Sequence, residues 1–182
     1  MATCSIATSI DSTCDKARRV GGLAQKVWLV DNFDGFSATI SGAGYVTALA
    51  FSTYGGLVTM EGVKNSHSAG TELSVTGEGG NKLFTQTVSV KCIAQAPTEI
   101  GAIDDLLGWS APIIVETRNR EFYIYGLYNG MDLTALTSTT GQVANTDVSD
   151  IMTFTGEENY LRQQVLITDY ATTLAYLVAA EI

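Results

Sequence analysis

The sequence predicts a mainly β protein: an antiparallel sandwich or partial barrel with one amphipathic helix packed on it, an α+β arrangement. Three observations carry this expectation. Residues 83–93 alternate, with Phe84, Gln86, Val88, Val90 and Cys92 on one face and Thr85, Thr87, Ser89 and Lys91 on the other, the pattern of a half-buried antiparallel strand. Short β-branched and aromatic runs recur between Gly, Asn and Asp turns along most of the chain. Residues 98–107 stand apart with a helical period, placing Ile100, Ile103, Leu106 and Leu107 on one stripe.

The elements follow in order. Residues 25–30 hold the run Val27, Trp28, Leu29 and Val30, closed by an Asp34-Gly35 turn, and residues 36–41, 45–52, 57–63 and 71–76 are further strands. Residues 64–70 read as an exposed loop and residues 77–81 as a Gly-rich hairpin link. The helix begins with Glu99 at the positive end of its dipole and ends at Gly108, which suits a left-handed cap. As the lone helix it reads as a lid on the sheet, with Asp104 and Asp105 turned to solvent. A hairpin follows, residues 112–116 and 121–127 paired across Arg118-Asn119-Arg120. After a turn at Asn129-Gly130, residues 131–136 are extended, 137–147 form a polar loop and 148–156 form a strand. Residues 172–180 fit a helix, or else a last strand or extended tail.

Hydrophobic residues make up 46% and charged residues 16%, a composition for folding rather than disorder, and 182 residues suffice for one domain with a real core. Residues 1–22 read as an N-terminal arm and residues 23–182 as a single domain. The arm is rich in Ser and Thr, turns basic at Lys16, Arg18 and Arg19, and ends in the hinge Gly21-Gly22. Its cations suit a carboxylate-bearing surface, with phosphate the alternative. No Lys or Arg precedes Lys16, so a secretory signal is not expected, and no apolar run reaches the roughly 20 residues of a bilayer span. A soluble protein without membrane contact is the expectation.

Lys and Arg number 10 against 19 Asp and Glu, a net charge of −9 that disfavours tight nucleic-acid binding and suits a surface past which DNA slides. Cys4, Cys14 and Cys92 are an odd set, expected as free thiols in preference to a Cys4–Cys14 bridge. No metal is expected, because Cys4 and Cys14 lack paired spacing and the one histidine, His67, is remote in sequence.

No catalytic signature emerges, and an enzyme is not expected. His67 reads as a solvated loop residue without a carboxylate or thiol neighbour in sequence. Glu157 and Glu158 are adjacent on a strand and face opposite ways. Gly42-Ala43-Gly44 lacks a third glycine and a following helix, and residues 77–81 lack the Gly-Lys-Ser/Thr ending of a phosphate loop, so no cofactor is expected.

A Cys-bearing arm running into Gly-Gly (Cys14, Gly21, Gly22), a helix at 100–107, a strand hairpin at 113–130 and a Thr-Phe-Thr-Gly-Glu-Glu stretch at 153–158 together resemble the tail tube proteins of tailed bacteriophages. The resemblance implies a virion structural protein whose sheet is completed by oligomerisation, assembled in the host cytoplasm into stacked hexameric rings with an acidic lumen through which DNA is ejected. Its partners would be copies of itself and other phage structural proteins. Lumen candidates are then Asp31, Asp34, Glu61, Glu116 and Asp132, each as readily on the outer surface. Candidates for contact between subunits are Lys16, Arg18, Arg19, His67, Arg118 and Arg120, with the arm and the loops at 64–70 and 137–147 between stacked rings. One departure stands out. The mid-chain glycine loops are short where tube subunits often carry a long stacking hairpin, which keeps a head–tail connector, decoration or surface-binding protein as the alternative.

Overall fold

Val27, Trp28, Leu29 and Val30 are consecutive, and all four are buried. Successive residues of a strand face opposite sides, so this run needs cover on both faces of its sheet. The structure, a computed structural model, describes residues 22–52, 55–76, 81–93, 97–139 and 149–182, and supplies that cover as two further layers. The strands are β1 (Leu23–Val30), β2 (Ser37–Ile40), β3 (Val46–Ala50), β4 (Leu57–Glu61), β5 (Ser68–Thr76), β6 (Asn81–Cys92), β7 (Ser110–Ala111), β8 (Ile113–Thr117), β9 (Phe122–Tyr125), β10 (Met131–Thr139), β11 (Ser149–Glu158) and β12 (Gln163–Val165). Among the described residues two α-helices accompany them, α1 (Pro97–Asp105) and α2 (Tyr170–Ala179).

A seven-stranded sheet runs β2-β3-β12-β9-β8-β1-β4, and a five-stranded sheet runs β5-β6-β11-β10-β7. Between them Val27, Leu29, Ile113 and Val115 of the larger sheet pack on Val88, Val90, Met152 and Phe154 of the smaller. On the far side of the seven-stranded sheet Trp28, Val30, Ile114, Phe122 and Ile124 form a second core with Leu177, joined at its margin by Tyr170, Leu174 and Tyr176 of α2. The mainly β fold with helix packed on sheet is as expected, but the helix that covers the middle of a sheet is α2.

α2 starts where Asp169, extended at φ −143°, accepts a hydrogen bond from the Thr172 N–H at 2.7 Å, an N-cap that holds the Asp169 carboxyl below its usual pKa. The chain leaves β12 in the middle of the sheet and ends on its edge, where the Leu57 N–H donates to the Ala180 carbonyl at 2.9 Å and the Ile182 N–H to the Leu57 carbonyl at 3.2 Å. Glu181 fastens that end: Oε1 accepts from Lys26 Nζ at 2.6 Å and from Trp28 Nε1 at 2.9 Å. The Tyr176 hydroxyl adds a bond to the Leu49 carbonyl.

α1 corrects the expectation of a full lid. Ile103 and Leu106 pack on the inter-sheet core, whereas Ile100 and Leu107 are 50% and 67% exposed, so half of the stripe meets solvent. Gly108 is not among the glycines with positive φ; α1 tightens into a 3₁₀ turn at Leu106–Gly108 and leaves through the extended Trp109. Two loops are shorter than expected, because residues 68–70 belong to β5 and residues 137–139 to β10. The rest of the 137–147 loop, the 77–80 link and the arm at 1–21 lie outside the described residues.

Phe122 ties the second core together, edge-on to Trp28 at 5.8 Å and stacked on Tyr170 at 5.4 Å. Phe122→Ala is expected to cost about 3–5 kcal/mol in urea denaturation, while Leu107→Ala stays within about 0.5 kcal/mol of the parent. Equal effects would contradict this assignment of the core.

Candidate functional site

The five-stranded sheet buries one face and shows the other. In an antiparallel pair, directly opposite residues share a face, so registers such as Thr87↔Thr155 and Ser89↔Thr153 fix what is shown. That face carries Thr85, Thr87, Ser89 and Lys91 from β6, Ile151, Thr153, Thr155 and Glu157 from β11, Glu72 and Ser74 from β5, and Asp132 from β10, all half-buried or exposed. A slip in register between Leu133 and Ala135 brings Thr134 into a hydroxyl chain: Thr155 Oγ1 donates to Thr134 Oγ1 at 3.2 Å, and that hydroxyl to the Thr153 carbonyl at 3.1 Å. Among these residues Glu72, Asp132 and Glu157 oppose the single cation Lys91, giving a hydroxyl-rich, mildly acidic surface.

Both margins of the sheet are open among the described strands. β5 pairs only with β6, and β10 pairs with β7 only at Met131 and Asp132, so from Leu133 to Ser138 its sole strand partner is β11. The β5–β6 hairpin also outruns the layer beneath it. Leu73 and Val75 lie on the face that Val88 buries further down the hairpin, yet they are 54% and 60% exposed. Strands of nine and twelve residues make this a long hairpin, whatever the shortness of its glycine link.

Only one expected lumen acid, Asp132, lies on this face. Asp31 and Asp34 are exposed after β1, Glu61 ends β4, and Glu116 accepts a hydrogen bond from the Tyr170 hydroxyl at 2.8 Å on the α2 side. Glu72 and Glu157, which face the same way as Asp132, were not singled out as lumen acids by the sequence, since strand order decides the matter. Arg118 and Arg120 are exposed at the β8–β9 tip, where Arg120 takes φ +61° and lies 5.6 Å over the Tyr170 ring. Lys16, Arg18 and Arg19 fall outside the described residues.

His67 overturns its expectation as a solvated loop residue: it is 5% exposed, held where the chain crosses from β4 to β5. Nδ1 accepts the Lys91 N–H at 3.1 Å, so the ring proton belongs on Nε2. Nε2 is buried without a hydrogen bond, with the Gln25 carbonyl close by; burial lowers the pKa more than that carbonyl raises it. Gly62 must stay a glycine, because a Cβ there would collide with the ring and with the Lys91 carbonyl.

Glu158 faces inward, opposite to Glu157 as the alternation required, and is 1% exposed. Its Oε1 accepts the N–H groups of Tyr128 at 2.8 Å and Asn129 at 2.9 Å, while Gln86 reaches from the Gly126 N–H at 2.8 Å to the Tyr160 carbonyl at 3.1 Å. Gly126 and Gly130 take φ +68° and +81°, so this polar pair braces the tight turn that launches β10. These groups serve the backbone, and among the described residues no cluster of His, Cys, Asp and Glu is placed to hold a metal. Cys92 is free and buried, and no described helix is long and apolar enough to cross a membrane. Compared with protein families, curated proteins and solved structures, the chain matches none.

Glu158→Ala strands two turn N–H groups and is expected to cost about 2–3 kcal/mol, with Glu158→Gln milder, in denaturant titrations. For His67 the folded-state pKa lies below the 6.5 of the unfolded chain. Its contribution is complete above pH 6.5 and is lost as pH falls below that value, where the unfolded chain takes up a proton that the folded one resists. His67→Gln is expected to flatten the stability difference between about pH 7.5 and about pH 5.5. An identical slope in parent and variant would remove His67 from that dependence.

Proposed function

We propose that the protein is a virion structural subunit of the tail-tube kind, non-catalytic, which builds stacked homo-oligomeric rings through which DNA passes without specific binding. The observation that carries this reading is the five-stranded sheet, with two margins open among the described strands and a hydroxyl-rich, acid-bearing face. Strand directions alternate across it, so β5 of one copy laid beside β10 of the next, with both copies in one orientation, continues the antiparallel order. Repeated around an axis, that joint closes the five-stranded sheets into a barrel and covers both of their open margins. Six copies is the number that the family resemblance implies.

The face described above then lines the bore, with Asp132, Glu72 and Glu157 repelling phosphate and Thr and Ser side chains offering only neutral contact. The projecting β5–β6 hairpin, with exposed Leu73 and Val75, answers the apparent lack of a stacking hairpin and favours the tube over a connector or decoration role. Its apolar flank would meet the ring above or below.

Size-exclusion chromatography with light scattering, followed by negative-stain microscopy, tests the assembly. Rings or tubes support the proposal, and a strict monomer at every concentration and salt condition overturns it. Asp132→Lys with Glu157→Lys is expected to leave rings intact and slow DNA delivery by particles that carry it. Unchanged delivery would exclude this face from the lining.

A further inference from the structure

β4 ends the seven-stranded sheet, and among the described residues only its first residue, Leu57, is bridged on the outer side, by Glu181. Residues 58–61 therefore turn a row of backbone groups outward, the kind of edge that accepts another strand. Beside this edge a groove of about 320 Å³ opens between β4, the end of β6 and α1. Val58, Met60, Ile93, Ile103 and Leu106 give it apolar walls, and Glu61 and Glu99 stand at its rim. Val58 and Ile93 are exposed there. An open edge flanked by an apolar trough is the arrangement that binds an extended peptide, backbone bonds supplying affinity and alternate side chains selectivity.

We infer that this edge and groove receive the protein's own leading segment, residues 1–21, with Ile6 and Ile10 seated in the trough and Lys16, Arg18 and Arg19 against the acidic rim. Three features single out that occupant. Cys4, Ile6, Thr8 and Ile10 share one face of an extended chain, and no proline interrupts residues 1–21. Three of the chain's 10 Lys and Arg fall in this stretch, against a rim of carboxylates. The tether is short: the segment joins β1 at Gly22, where φ is +98°, and β1 lies beside β4 with Lys26 opposite Glu61. Four strand residues, about 13 Å, separate the junction from that register, whereas 21 residues reach up to about 70 Å. Docking within one chain thus proceeds at a high effective concentration and stands apart from ring assembly.

Cys92 lines the groove, so the full chain with Cys4→Ser and Cys14→Ser reports occupancy through the reactivity of a single remaining thiol. With an aromatic disulfide reagent at one fixed pH, adding Ile6→Asp and Ile10→Asp is expected to raise the rate about tenfold, and dilution of the parent to leave it unchanged. Trypsin is expected to cut after Lys16, Arg18 or Arg19 slowly in the parent and quickly in Val58→Asp. The segment variant leaves every described residue intact, so a folding failure of Val58→Asp does not rescue the inference. Equal thiol rates with and without Ile6 and Ile10, or fast cleavage of the parent, would overturn it. A rate that climbs on dilution would assign the groove to a second copy and overturn the intrachain assignment.

Discussion

The fold depends on a sheet that must be dry on both sides. Four successive apolar residues at 27–30 cannot be half-exposed, and the register of β1 with β4 and β8 spreads that demand across the centre of the seven-stranded sheet. One face is met by the smaller sheet and the other by α2 and the closing residues 180–182. Removing water from both faces is the main stabilising term, and the Glu181 carboxylate, accepting from Lys26 and Trp28, holds residues 180–182 in place at the margin.

The smaller sheet is different in kind. Its inner face shares the first core, but its outer face is furnished with hydroxyls and a few acids, and its margins stop without a covering strand among the described residues. An exposed edge invites pairing with another chain, and proteins usually blunt it with charge, proline or a bulge. β5 carries only Glu72 as a charge and has no proline, so its edge is left receptive. The molecule thus sets a doubly covered sheet beneath a smaller one whose two margins lack a strand partner among the described residues.

What the sequence disclosed followed local pattern, and what it withheld depended on long-range order. β6 was legible because its alternation is set by neighbours two residues apart, and the β8–β9 hairpin because Ile113, Ile114 and Val115 mirror Tyr125, Ile124 and Tyr123 across a short tip. α2 was left open between helix and strand because Leu174, Ala175, Tyr176, Leu177 and Val178 are apolar with no polar stripe; the Asp169 cap three residues before Thr172 was the available signal. His67 could not be read as buried, since its partner Lys91 is 24 residues away and the room for its ring comes from Gly62. Which acids share a face with Asp132 was equally hidden, because the neighbours of β10 are fixed only when β11 lies between it and β6. The acidic balance was visible in the sequence, but its distribution was not.

The central claim is that copies of the chain complete the five-stranded sheet. Amide hydrogen exchange at the outward N–H groups of β5 and of residues 133–138, compared between dilute monomer and concentrated protein, tests it most directly. Strong protection of both edges together on concentration, with the buried β8 unchanged, is the expected result. Assembly that leaves those two edges exchanging as they do in the monomer would contradict it.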